Sequence, residues 1–524
     1  MTITLTQPQR YAVAAAQDYK PLMRQLGNTL WEYAEIGLQE YRSAAYLMGQ
    51  LREHGFVIHG GQAGFPTGFT AEFCNGAGPT VALLCEYDAL PALSTTQPGG
   101  NGHGCGHNLF GAASVTTALL LRQTMLQFGI GGRLRLYGCP GEENFASKAY
   151  YVHHGLFDDV DCSVGFHAHD QNRAHFDVEA ATLLKDYTFH GKPAHAGNYP
   201  WLGNSALDAV EIMNVAANYL REHVRPDVRI QYVITKGGDA YNIVPELAAS
   251  RYAVRSASVS YMEEVSCRVD NCAHAAALAT GCTVEIQFLD KTYNTVLLRE
   301  YAELAQGYLE QLGAPQFSPD ELETAKQFGD GSGLCTDITP LPACEGYQGG
   351  ASDEGDVSWV VPHQSIYVAN LAKDTALHTL SAVGQTNLPA AYTAMVTQVG
   401  ATAAMVLELL QTPSTLAQLK AAHAAKLGAE RYPKNPGYTL PPAVNPNCAG
   451  VSVAGNAITA DFSQLLLLPP DYAGAVLFQK DGETVARLEH SGTVTSLQPL
   501  EVGDSLFLFA MDGDWQQLLG YYTL

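Results

Sequence analysis

Three short apolar runs between residues 79 and 169 constrain the fold most: "PTVALLCEYDALPAL" (79–93), "GRLRLYGCP" (132–140) and "DCSVGFHAH" (161–169). Each reads as a buried strand, the first running on into a loop. "FGAASVTTALLLRQTMLQFG" (110–129), between the first two, reads as a helix buried on most sides, and residues 9–26 and 43–54 carry helical spacing. Strands that alternate with helices predict an α/β layer architecture with a mostly parallel sheet. Such sheets place their ligands in the loops at the carboxyl ends of the strands. The residues just after each run are therefore the first place to look for chemistry.

At 524 residues the chain is too long for one core, and two or three domains are expected. The patterning changes near residue 182. "TLLKDYTFHG", "VRIQYVITKGG", "ASRYAVRSA" and "CTVEIQFLD" read as strands, and "SALDAVEIMNVAANYLREHV" and "EEVSCRVDNCAHAAALATG" as helices, so 182–292 reads as a compact α+β insert. The α/β character resumes through 349–362 and a helix near 387–411. "YPKNPGYTLPPAVNPN" then reads as a linker. Asp-Gly turns at 481–482 and 512–513 among short alternating strands mark 450–524 as a small β domain. The expected domains are 1–181 and 293–430 (one α/β domain in two parts), 182–292, and 431–524.

The formal charge of −23 argues against nucleic acid and anionic membrane surfaces as partners. The longest aliphatic run, "LLLL" at 465–468, is far short of a membrane span. The first twenty residues do not read as a secretory signal, and the eleven cysteines show no repeated spacing. Reduced thiols and a cytoplasmic location are the expectation.

"GHGCGHNLFG" (102–111) concentrates two histidines and a cysteine among glycines. Cys and His bind transition metals best, and glycine lets main chain approach a bound object closely. Cys105 and His107, two apart, can aim at one point. His103 is expected to be a loop histidine facing water. After the second strand, "GCPGEEN" places Glu142 beside Glu143. Neighbouring carboxylates usually mark a solvated loop, but at a strand end one can bind metal while the other moves protons. Asp88 in "CEYDALP" can cap a turn or orient a metal-bound histidine. His167 ends the third strand, with His169 as its rival, and "DTALHTLSAVG" offers His378. Each histidine alone is more often structural. The combined supply of Cys, His, Glu and His from successive strand ends is what points to metal. A nucleotide-binding oxidoreductase is excluded because "GGNGHGCGHNLFG" holds no G-x-G-x-x-G register, and "GGASDEG" is not a serine-hydrolase elbow.

The ordered set "CEYDALP…GCGHN…PGEE…FHAH…GKPAHA…GGDAYNIVP…YAVR…SDEGDVS…LHT" resembles the metal-dependent amidohydrolases of the aminoacylase and carboxypeptidase G group. It is most similar to the branch that holds aminobenzoyl-glutamate hydrolase (its B-type subunit), hippurate hydrolase and auxin-conjugate hydrolases. The resemblance covers roughly residues 10–410. It implies a two-metal zinc-peptidase-like catalytic domain, an inserted α+β dimerisation (lid) domain that makes a homodimer, and two divalent ions per protomer, zinc or manganese. It further implies that Cys105, His107, Glu143, His167 and His378 are ligands, with Cys105 bridging. Glu142 would be the general base. His195 in "GKPAHAG" would stabilise the oxyanion from the partner subunit, and Asn242 and Arg255 would hold a substrate carboxylate. Much of the wider group begins with an H-x-D ligand motif; here that place reads Glu86-Tyr87-Asp88, without the histidine. Asp353 and Asp356 are expected in a loop near the site. The implied activity is hydrolysis of an N-acyl or N-aroyl amino acid or a small dipeptide. The alternative is a catalytically silent, metal-stabilised protein that binds a ligand through its extra β domain.

Overall fold

The structure is a computed structural model that describes residues 3–435, 450–465, 474–480, 483–501, 505–512 and 515–523. Most of the linker, the Asp-Gly turn at 481–482, Gly513 of the second turn and residues 466–468 of the aliphatic run lie outside the described residues. Two compact units emerge. One comprises Met1–Phe176, Leu298–Ala343 and Val360–Leu524, the other Asp177–Leu297 and Cys344–Trp359.

The first unit is built on one sheet whose strands run in the order Val57–Gly60, Phe69–Cys74, Arg133–Cys139, Thr80–Glu86, Cys162–Gly165, His363–Ala369 and Ala168–His169. The first two pairings are antiparallel and the remaining ones along this path are parallel. Thr80–Glu86 and His363–Ala369 are buried at every residue, as central parallel strands covered on both faces must be. His107–Phe128 and Pro389–Gln411 supply much of that cover. They are the two helices among the described residues long and apolar enough to cross a membrane, and 83% and 78% of their apolar windows are buried inside the fold. They are core helices. The strand His363–Ala369 begins with three polar residues, which the sequence alone does not announce as a strand. Its polar groups are satisfied in place: His363 Nδ1 lies 2.9 Å from Ser163 Oγ, and Gln364 Nε2 donates to the His175 carbonyl at 2.9 Å. Beyond residue 450 the described strands form two antiparallel sheets with a core that includes Ile458, Val476, Phe478 and Leu508.

The second unit is an antiparallel sheet in the order Arg229–Lys236, Leu247–Ser256, Ala181–His190 and Thr283–Thr292. Helices Ala206–Leu220 and Val259–Thr280 bury Met213, Val265 and Val269 against Tyr187 and Phe189. Serines open both helices: Ser205 Oγ accepts from Asp208 N at 3.2 Å and Ser258 Oγ from Tyr261 N at 3.5 Å. Asp353 and Asp356 are both buried here, Asp353 in the turn that leads into a short helix. Asp356 sits in the short helix Glu354–Ser358 and accepts from Tyr293 N at 3.1 Å, an anchoring role that offers no free carboxylate to a substrate.

Candidate metal centre

All the donors singled out on the first unit arrive at strand ends or helix starts. Asp88 follows Thr80–Glu86. Glu142 and Glu143 open a four-residue helix after Arg133–Cys139, and His167 follows Cys162–Gly165. His107 is the first residue of the long helix His107–Phe128, and Gly106 makes that start possible. Its φ of 84° lies in the left-handed region, and a Cβ there would come within 2.6 Å of Ala168 Cβ. His378 reaches the same place from the last third of the chain. Its backbone is also left-handed, φ 59°, and its N–H donates to the Gly104 carbonyl at 2.9 Å, so its loop is stitched to the one that carries Cys105.

The ligand atoms of Cys105, His107 and His167 lie within 4.8 Å of one another, and so do those of Cys105, Glu143 and His378. Cys105 is common to both groups. Its Sγ is 3.4 Å from His167 Nε2, and His378 Nε2 is 3.5 Å from Glu143 Oε2. A third group joins Glu86, His107 and Glu142, with Glu142 Oε2 3.9 Å from His107 Nε2. Asp88 ties two of these donors together. Its Oδ1 bonds His107 Nδ1 at 2.8 Å and its Oδ2 accepts from Glu143 N at 3.0 Å. A carboxylate on the far nitrogen fixes the tautomer and aims Nε2 at the ligand position.

The residues present fit divalent cations. His107 Nε2 and Glu143 Oε1 are buried and have no well-aligned hydrogen bond among the described residues, although Glu86 Oε2 stands 3.1 Å from His107 Nε2. Burial alone would lower the His107 pKa, but Glu86 and Asp88 beside it raise it well above the usual value. Against the rise that burial would cause, His107 holds Asp88 below the usual carboxylate range. Burial, opposed by His107, pushes Glu143 up to about 7. Burial likewise pushes the Cys105 thiol up. These shifts share one origin: a buried nest of carboxylates and a thiol demands positive charge, which a cation supplies far better than one imidazolium.

His169 lies elsewhere. Its ring stacks on Tyr367 with centroids 4.7 Å apart, and its Nδ1 is 3.0 Å from Asp170 Oδ1. His103 does not face water. It is buried, its Nε2 lies 3.0 Å from the Leu30 carbonyl, and burial pushes it down to about 4. The glycines around it let the loop fold inward, where the sequence suggests an exposed turn. His195, Asn242 and Arg255 belong to the second unit. There His195 is exposed and its Nδ1 accepts from Gly197 N and Asn198 N, both at 3.1 Å. The Asn242 carbonyl accepts from Ala196 N at 3.0 Å, and Arg255 Nη1 donates to the Gly349 carbonyl at 3.2 Å.

Sequence reasoning missed Lys148. It is fully buried, and its Nζ is 2.6 Å from Glu86 Oε1, while Glu86 Oε2 faces His107 Nε2 at 3.1 Å. A lysine inside the otherwise buried stretch "SKAYYV" is the signal that could have revealed it.

Residues 185–280 match the model of a peptidase dimerisation domain. Over 455 residues the chain is 32% identical to the B-type subunit of the p-aminobenzoyl-glutamate hydrolase of Escherichia coli, spanning 78% of this chain and 94% of that one. The chain belongs to the M20 peptidase family. It is an enzyme that hydrolyses amide bonds. A mouse Xaa-Arg dipeptidase is 32% identical over 316 residues, 58% of this M20 chain and 66% of the relative. A solved Bacillus subtilis structure, described as a dinuclear metal binding peptidase from the M20 family, shares the fold with a TM-score of 0.54 at 17% identity. It covers 76% of this chain and 99% of its own.

Proposed function

We propose that this M20 enzyme cleaves the amide bond of an N-acyl or N-aroyl amino acid or a small dipeptide, aminobenzoyl-glutamate among them, with two divalent cations, zinc or manganese. The observation that carries this reading is the pair of donor groups that share Cys105, with Glu142 alongside. When bound, cations in such a site polarise the amide carbonyl and lower the pKa of a water to about 7. Cys105, His107 and His167 would hold one, and Cys105, Glu143 and His378 the other.

The side chains divide the remaining work. Asp88 keeps His107 in the tautomer that presents Nε2. Glu142 takes the proton of the attacking water and returns it to the leaving amine. Its carboxylate is 11% exposed, enough to meet solvent and substrate. His195 of the partner subunit donates to the developing oxyanion, and Arg255 with Asn242 grips the substrate carboxylate, a task suited to a guanidinium. The match of residues 185–280 to a dimerisation domain supports a homodimer in which His195 is exchanged between copies. The relatives named for aminobenzoyl-glutamate and Xaa-Arg dipeptides support this substrate class.

The test is metal analysis together with a hydrolysis panel of N-acyl amino acids, aminobenzoyl-glutamate and dipeptides. Two ions per protomer with turnover support the reading. Metal without turnover on any amide overturns it in favour of a silent binding protein.

A further inference from the structure

Glu142 and Glu143 stand side by side on a helix of only four residues, Glu142–Phe145, which is too short to fix its own geometry. Segment 34–40, which no motif marked, supplies the rigidity. Two of its residues are left-handed, Ala34 at φ 42° and Leu38 at φ 66°. The Glu35 carbonyl accepts from Ala89 N at 2.7 Å, one residue past Asp88. The Glu35 carboxylate turns the other way and accepts from Ser43 N and Ser43 Oγ, both at 2.8 Å, anchoring the segment to the helix Tyr41–Glu53. Contact with the Glu142 turn is close: a Cβ on Gly37 would meet Gly141 Cα and Asn144 Nδ2, both at 2.9 Å.

The segment ends at Glu40, which is fully buried. Its Oε1 accepts from Gly141 N at 2.8 Å and its Oε2 from Thr67 Oγ1 at 3.0 Å. Gly141 is itself left-handed, φ 65°. With Asp88 Oδ2 on Glu143 N, the two backbone amides that flank Glu142 are both gripped by buried carboxyl groups. The bond to the ionised Asp88 is of the stronger, charge-assisted kind, and together the two bonds hold the Pro140–Gly141 peptide, one residue before Glu142, and the Glu142–Glu143 peptide just after it.

We infer that Glu40 is a positioning residue for amide hydrolysis: through the Gly141 amide it holds the Glu142 carboxylate where the attacking water gives up its proton. The inference rests on Glu142 being the base. A residue that only stabilises the fold changes the unfolding midpoint and the yield. A residue that positions the base changes kcat in the folded, metal-loaded enzyme and leaves KM alone.

Three variants separate these roles in the full-length protein, each assayed at matched metal content. Glu40→Ala lowers kcat about 10²-fold, the cost of a misplaced catalytic group, with KM unchanged. Glu40→Gln keeps an acceptor for Gly141 N at the same reach and retains most of kcat. Glu40→Asp keeps the carboxyl group, withdraws the acceptor by one methylene and loses kcat. Should Glu40→Ala not fold, the Gln and Asp variants carry the test by their order. Wild-type kcat in Glu40→Ala, or an Asp variant faster than the Gln variant, overturns the inference. Glu142→Gln in parallel keeps the two ideas apart. If Glu142→Gln is active, the base assignment falls. If it is inactive while Glu40→Ala is fully active, only the positioning role falls.

Discussion

Replacing Lys148 by methionine takes a close cationic partner from the buried Glu86 carboxylate and leaves His107 beside it at 3.1 Å. Lys148 is 0% exposed and the Glu86 side chain 2%, with 2.6 Å between Nζ and Oε1. At that distance and an effective dielectric near 20 the Coulomb attraction is about 6 kcal/mol. It is set against a desolvation cost of several kcal/mol for each ion. Removing one partner keeps most of the cost and discards the attraction, so Lys148→Met is expected to destabilise by about 3–5 kcal/mol. Methionine nearly matches the lysine stem in shape, so little of this is cavity formation. The double variant Lys148→Met/Glu86→Gln removes both charges and should recover most of the loss. The assay is urea unfolding followed by far-UV circular dichroism, in EDTA so that metal linkage does not move the midpoint. A loss below about 1 kcal/mol in Lys148→Met would place the pair among solvent-screened ones. That result, or a double variant no more stable than Lys148→Met, would refute the reasoning.

Cys105→Ala should release both cations, because Cys105 belongs to both donor groups, whereas His167→Ala should release one; metal analysis after gel filtration distinguishes them. Glu142→Gln should abolish turnover with metal content unchanged, and near-normal kcat would remove its role as base. Gly106→Ala forces a Cβ into a left-handed backbone and against Ala168. It should cost about 2–4 kcal/mol and weaken metal binding by displacing His107, read by thermal unfolding and by titration with the metal. Dialysis against a chelator should silence the enzyme, and re-addition of zinc or manganese should restore it; activity that survives metal loss contradicts the centre.

The parallel sheet is legible in the sequence because Thr80–Glu86, Arg133–Cys139 and Cys162–Gly165 carry apolar runs bounded by turn residues. The helices of the second unit are legible from their serine caps and apolar spacing. His363–Ala369 is not, because its polar start is tolerated only through Ser163 and His175, partners far away in sequence. The donor cluster is legible as chemistry, since Cys, His and Glu rarely gather at successive strand ends without cause. Its supports are not. Glu40 and Lys148 look like surface residues in one dimension, and only the folded chain shows a backbone amide waiting for one and a carboxylate for the other. His103 misleads for the same reason: its hydrogen-bond acceptor is a helix carbonyl at Leu30.

The stitch between His378 N and the Gly104 carbonyl has a consequence for biosynthesis. The polypeptide emerges N-terminus first, and the strand ends that carry Cys105, His107 and Glu143 can assemble while most of the chain is still untranslated. The last donor, and with it the Glu143–His378 side of the cage, arrives only after the second unit and much of the closing sheet have been synthesised. Until then the Cys105 loop lacks its His378 partner, and oxidation of a thiol follows its exposure. Maturation of this enzyme should therefore be sensitive to the redox state and the free-metal level during translation, before the loop of His378 docks on that of Cys105.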